Sequence, residues 1–409
     1  MKLISGNPYL KKKDDEVLID SVSINEIAEE FKTPLLIFLE NRIRDNINTF
    51  TRVFSSEFKN SEYFYSFKAN FLPDICRIIK SEGIGAEIIG LLELKLALKL
   101  GFPSDKIIIG GPYLPEELID LSIKNGIKEI VVYNINDLKT INFYAHKYNC
   151  IQDVCIRINS QKYRTRLGIN LEKTKLIQLA NLKKSLSNIK ICSILSHYST
   201  QMNNIELFIK NLNSVIENIK ILLRHGIKID NINLGGGFPE ATVMSQNQLK
   251  KIARKIRDIL DTVSVNYKSI YFEPGRYFVG DAGLFITKIV KITDDKWAFL
   301  NIGNHICPKF ARCSLRFYNA SRINEPHKYK TSFAGIMPSD QDVLAKNYFF
   351  TKNIKEEDLV IVTNTGAYCL TFSNRFPYSL PNILLVKDNT YKRIFNPISD
   401  KDVSINSIV

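Results

Sequence analysis

From about residue 60 to residue 280, short apolar runs of β-rich composition alternate with segments whose apolar residues recur at intervals of three and four. The runs are Tyr63–Phe67, Gly85–Ile89, Lys106–Gly110, Glu129–Tyr133, Val154–Ile158, Ser193–His197, Asn231–Leu234 and Ser269–Phe272. Between them lie segments such as Leu91–Leu100, Pro115–Asn125 and Ile205–His225, patterned as helices that cover one face of a sheet. Eight consecutive β/α units predict a closed (β/α)8 barrel, an α/β fold that carries its chemistry at the carboxyl ends of the strands. Doubly wound sheets alternate in the same way, so closure rests on the count.

After residue 280 the pattern changes to runs such as Gly283–Ile292, Trp297–Ile302, Leu359–Thr363 and Ile383–Lys387, with turns between them and few helical periods. This predicts a second, mostly β domain. The runs Val17–Ile19 and Thr33–Leu39 are expected to join it before Arg42–Phe50 opens the barrel. The division is therefore an N-terminal segment over 1–40, a barrel over 41–280 and a β domain over 281–409. No internal repeat or low-complexity linker interrupts it.

With 45% hydrophobic and 24% charged residues the chain has ample material for a core and is not of disordered composition. Its 56 Lys+Arg against 42 Asp+Glu give a net charge of +14, but the basic residues are dispersed. Lys11, Lys12 and Lys13 are followed at once by Asp14, Asp15 and Glu16, a solvated segment and no recognition patch. No nucleic-acid partner is expected, although the overall field favours anionic substrates. The seven cysteines lack C-x-x-C spacing, which fits reduced thiols. With no export signal and no apolar stretch of membrane-spanning length, the expectation is a cytoplasmic protein without membrane contact.

Candidate chemistry gathers at the strand ends. Lys68 follows the aromatic run Tyr63–Phe67, where desolvation is expected to favour the neutral amine that forms a Schiff base. Gly235, Gly236 and Gly237 close the seventh run, where bare amides can approach a phosphate. Glu273-Pro274-Gly275-Arg276 ends the eighth, with a carboxylate able to hold a pyridine nitrogen protonated and a guanidinium able to neutralise phosphate. His197 ends the sixth, where it is either a core histidine or a plane stacked on a cofactor ring. All of these map to one rim.

These residues resemble the fold-type III pyridoxal-phosphate decarboxylases, which include ornithine and diaminopimelate decarboxylases. The resemblance runs from Thr33-Pro34 to about Pro381. It is carried by Y-S-F-K-A-N ending at Asn70, G-A-E-I-I-G-L-L-E-L at 85–94, R-L-G-I at 166–169 and H-Y-S-T-Q at 197–201. Further matches are N-L-G-G-G-F-P at 233–239, E-P-G-R at 273–276 and G-A-Y at 366–368. It implies that Lys68 holds pyridoxal 5'-phosphate, that His197 stacks on the ring, and that Glu273 pairs with the ring nitrogen. It also implies that Thr200, Gly236, Gly237, Arg276 and Tyr368 surround the phosphate, that Arg157 lies near the cofactor, and that Tyr368 also meets substrate. A homodimer whose sites borrow residues from the partner's second domain is implied as well, with no metal.

The chain departs from the family at Gly335-Ile336-Met337-Pro338-Ser339-Asp340-Gln341-Asp342. There the family reads G-P-x-C followed by an acidic residue; equal spacing puts Pro338 at the cysteine and Ser339 at the acid. Proline carries no proton to give. Either Ser339, Asp340, His197, Lys68 or a water takes over, or the reaction is not completed. Loss of the acid argues against a simple diamine substrate, whose distal cation needs a counter-charge. Arg312 resembles the arginine that diaminopimelate decarboxylases use for a distal carboxylate; a surface arginine packed near Phe310 is the other reading. His197-Tyr198-Ser199-Thr200 and Phe376-Pro377 also depart from the family and suggest a reshaped substrate chamber. The leading expectation is an α-decarboxylase of an amino acid with a distal anion or carried on a larger moiety, a carrier protein included, in specialised biosynthesis. The alternatives are a diaminopimelate decarboxylase of lysine synthesis and a non-catalytic regulatory homologue. Retention of Lys68, Glu273 and Arg276 speaks against the last.

Overall fold

A computed structural model describes residues 1–160, 165–263, 265–308 and 314–400. It divides into two compact units. One comprises residues 47–239 and 243–275; the other comprises 1–46, 240–242 and 276–409. Arg276 and the segment after it thus group with the β unit, a few residues earlier than the pattern at 280 suggested.

The first unit is a closed barrel of parallel strands. In chain order these are β1 (Ser61–Ser66), β2 (Gly85–Ile88), β3 (Ile107–Gly111), β4 (Glu129–Val132), β5 (Gln152–Arg157), β6 (Ile189–Leu195), β7 (Asn231–Asn233) and β8 (Ser269–Phe272). All eight predicted runs become strands, and β8 pairs with β1 to close the ring. Residues facing the lumen and residues facing the helices are both buried. This is why β3, Ile-Ile-Ile-Gly-Gly, shows no polar alternation.

The helices between the strands follow local rules. The helix Ile205–Arg224 starts at Asn204, whose side chain accepts the Leu207 N–H. It buries Phe208, Leu212, Val215, Ile216, Ile219 and Leu222 on one face. Pro73 at the first position of Pro73–Ser81 gives up no helical hydrogen bond. Behind β8 an aromatic cluster fixes the strand from outside: Phe54 lies 4.3 Å from Phe272, and Phe50 meets Phe238 edge-on at 4.8 Å. Each such contact adds roughly 1 kcal/mol beyond the area it buries.

The second unit is mostly β. A nine-stranded sheet holds Leu35–Leu39 between Gly283–Ile292 and Asn382–Lys387. The run at Thr33–Leu39 joins this sheet, whereas Glu16–Ile19 belongs to a separate four-stranded sheet of the first 23 residues. Val17 and Ile19 reach the same core as Leu35, Ile37 and Leu284 all the same. No helix among the described residues is long and apolar enough to cross a membrane.

Candidate active site

Barrel closure brings together side chains that lie far apart in sequence. Lys68 sits in the single 3₁₀ turn Phe67–Ala69 that ends β1. Its amine is not left bare in a dry mouth: the side chain is a third exposed and the amine is ion-paired with the buried Glu87, at the end of β2. A carboxylate opposite an amine stabilises the ammonium form, the reverse of what desolvation alone would do.

Glu273, one residue beyond β8, is 7% exposed. Its carboxylate accepts the amide N–H of Asn233 at 2.7 Å. Burial, with Glu87 adding to it, pushes this carboxyl up to about 7 against the pull of Lys68, Asn233 and Arg157. Asn233 is held in turn, because its Oδ1 accepts the Gly235 N–H at 2.8 Å.

His197 is partly buried at the end of β6. Its Nδ1 accepts the Gly236 N–H at 3.3 Å, which leaves the ring proton on Nε2. Burial, then the positive charges of Arg157 and Lys68, lower its pKa to about 3, so the imidazole is neutral at any working pH. Behind it, Ser196 and the buried Asn211 of the helix Ile205–Arg224 exchange hydrogen bonds. The guanidinium of Arg157, the last residue of β5, lies over the Tyr133 ring, 4.5 Å from its centroid, and donates to its hydroxyl.

The glycine turn has a packing reason of its own. A Cβ on Gly236 would sit 2.5 Å from the Glu273 carbonyl, and one on Gly237 would sit 2.4 Å from the Ser199 carbonyl. The N–H groups of Gly235 and Gly236 are already given to Asn233 and His197. The turn is therefore needed first to let three strand ends approach. Thr200 is exposed.

In the β unit, the Arg276 guanidinium lies over the Tyr368 ring at 4.8 Å and 3.9 Å from the buried carboxylate of Glu240. Tyr368 holds a φ of +67°, a left-handed conformation that aims its ring in a direction an ordinary turn does not reach. Ser339 and Asp340 are exposed in the loop that carries Pro338. The loop itself is held by buried Asp342, which accepts the N–H groups of Asn304 at 2.7 Å and Met337 at 2.8 Å. Arg312 lies outside the described residues.

Sequence reasoning missed Glu87, Tyr133 and Asn233. Glu87 and Asn233 lie inside quoted motifs; a lone charge within the otherwise apolar run Gly85–Ile88 is the signal that marks Glu87, whereas Asn233 shares the strand Asn-Ile-Asn with a second amide and does not stand out. Tyr133 carries no such signal. An amine, a buried carboxylate and a neutral imidazole at the ends of β1, β8 and β6 together fit the aldehyde, ring nitrogen and ring plane of pyridoxal.

Residues 44–280 match the family described as pyridoxal-dependent decarboxylase, pyridoxal binding domain. A diaminopimelate decarboxylase of Methanocaldococcus jannaschii is 26% identical over 403 residues, covering 91% of this chain and 90% of that one. The L-glutamyl-[BtrI acyl-carrier protein] decarboxylase of Niallia circulans is also 26% identical, covering 92% and 94%. A crystal structure of the M. jannaschii diaminopimelate decarboxylase with L-lysine superposes with a TM-score of 0.86 at 23% identity, over 96% of this chain and 95% of that one.

Proposed function

We propose that this chain, which belongs to the pyridoxal-dependent decarboxylases, removes the α-carboxylate of an amino acid whose distal end also carries a carboxylate, with diaminopimelate the first substrate to test. The enzyme is a pyridoxal-phosphate-dependent amino-acid decarboxylase. The observation that carries the reading is the buried Glu273 carboxylate, held by Asn233 at the mouth of the barrel that ends in Lys68.

When bound, pyridoxal phosphate supplies an electron sink for the pair left at the α-carbon as carbon dioxide departs. In our reading Lys68 is the residue that holds the group, and Glu87 takes the proton that its amine must shed first. Glu273 keeps the ring nitrogen charged: a carboxylate drawn toward neutrality by burial gains most from a cation beside it. Neutral His197 presents a flat face without competing for that charge. Arg157, clamped on Tyr133, and Arg276, backed by Glu240 and Tyr368, supply positive charge for anionic groups. Thr200, Gly236, Gly237 and Tyr368 remain the proposed phosphate surroundings. Ser339 and Asp340 are the candidates to return a proton to the α-carbon, and Arg312 to meet the distal carboxylate, together with Ser339 and Tyr368. A homodimer is part of the proposal, and sedimentation velocity tests it.

A second reading keeps the chemistry and changes the substrate: an amino acid whose distal carboxylate is joined to a larger moiety. Pro338 and Ser339, standing where the family has cysteine and an acid, favour it, since a conjugated distal end has no cation to neutralise. The similarity to a glutamyl-carrier decarboxylase supports it too. Carbon dioxide release from diaminopimelate, glutamate, lysine, ornithine and γ-glutamyl conjugates tests both, with Lys68→Ala as the control. Release from lysine or ornithine alone would overturn both readings.

A further inference from the structure

Outside the residues assigned above, the barrel unit holds a cavity of about 540 Å³ beside the rim, between the segments that follow β5 and β6 and the helix Ile205–Arg224. It begins next to the chemistry: Asn159 and Ser160 line it two and three residues beyond Arg157, and Tyr198 lines it directly after His197. Its far wall is one stripe of the helix, running from Lys210 through Ser214 to Ile221. The eleven steps from Lys210 to Ile221, at 1.5 Å each, make that wall about 16 Å long, the span of roughly five extended residues. The opposite face of the same helix is the one buried against the barrel, so the stripe has no packing duty there.

The lining decides what fits. Ligand pockets of this size are mostly apolar when the ligand is. This one mixes the aliphatic side chains of Ile169, Leu171 and Ile221 with the amides of Asn159, Asn170, Asn213 and Asn218 and with hydroxyls, as an arm of alternating methylenes and amides requires. Among its described lining residues the one cation, Lys210, stands with two carboxylates, Glu172 and Glu217, a balance that disfavours a phosphate or other compact anion. Carboxamides offer donors and acceptors in the pattern that another amide chain needs.

We propose that this cavity is a substrate subsite for a neutral, amide-bearing chain joined to the distal end of the amino acid that is decarboxylated. The proposal rests on the conjugate reading given above and names its substrate class: an α-amino acid extended through a side-chain amide by a peptide-like arm. The amino-acid head lies at the barrel mouth, and the arm leaves past Tyr198 and along the helix.

The test uses cofactor-loaded enzyme with γ-L-glutamyl-triglycinamide, whose arm ends in a neutral amide, as conjugate and diaminopimelate as the compact substrate. Ser214→Trp obstructs the middle of the cavity, and Asn213→Leu, at an exposed position, removes one amide without bulk. Calorimetry and carbon dioxide release are read together. The expected result is a rise of about tenfold in both Kd and KM for the conjugate in Ser214→Trp, and a smaller rise in Asn213→Leu, as the loss of one or two hydrogen bonds predicts. Cofactor absorbance and the kinetics with diaminopimelate stay unchanged. Release from the conjugate at wild-type KM in both variants overturns the subsite and leaves the conjugate reading standing. Binding that depends on Ser214 without release from the conjugate overturns the conjugate reading, and the subsite with it. No binding by the wild type overturns both.

Discussion

Replacing Glu273 by glutamine removes the carboxyl that burial pushes up to about 7. In the cofactor-free protein that group holds its proton in the folded state at a pH where the unfolded chain has released it. A raised carboxyl stabilises the fold fully below its ordinary value of 4.5, and that stabilisation is lost as pH rises through about 7. The gap between those values is worth about 3 kcal/mol. Urea unfolding of the apoprotein at pH 5, 6, 7 and 8 reads it. The wild type loses stability across the window, partly through Glu93 and Glu129, which burial also raises to about 7. In Glu273→Gln the loss is smaller by about 3 kcal/mol, because the amide does not titrate. Loading wild type with pyridoxal phosphate flattens the same part of the profile, since a protonated ring nitrogen fixes Glu273 as a carboxylate. Equal slopes for apo wild type and Glu273→Gln would refute the reasoning.

Tyr133→Phe keeps the ring beneath Arg157 and loses the hydroxyl that accepts its N–H; kcat is expected to fall by about tenfold with cofactor absorbance retained, whereas Tyr133→Ala, which removes the ring too, falls further. Steady-state kinetics beside the spectrum separates these outcomes from misfolding. Asn233→Ala takes hydrogen bonds from both Glu273 and Gly235. It is expected to cost about 2–4 kcal/mol of stability and to raise the Glu273 pKa further, visible as an acid limb of kcat/KM displaced to higher pH. Lys68→Ala abolishes the visible absorbance of bound cofactor and all carbon dioxide release, measured on dialysed enzyme.

The barrel was legible because each strand is buried on both faces, so its apolar run stands out against the helical periods beside it. The Leu35–Leu39 strand announced its place for the same reason, all five residues being buried in the wide sheet. The four-stranded sheet that takes Glu16–Ile19 was not legible, because its strands are short and Lys11, Lys12 and Lys13 look solvated in sequence. In the site, Lys68, His197 and Glu273 were readable from their positions at the ends of apolar runs. The pairing of Lys68 with Glu87 was not. It depends on two neighbouring strands ending level, which is a property of register that no single strand carries. The same holds for Tyr133 and Arg157, which come from adjacent strands, β4 and β5.

The pairing of Lys68 with Glu87 also bears on which carbonyl compounds the amine can react with. In the reading proposed above, Lys68 reacts with an aldehyde only after it sheds a proton, because an ammonium group cannot attack a carbonyl. On that reading Glu87 is a filter as well as a partner, since an aldehyde with no charge to hold it at the mouth cannot wait for the proton to leave.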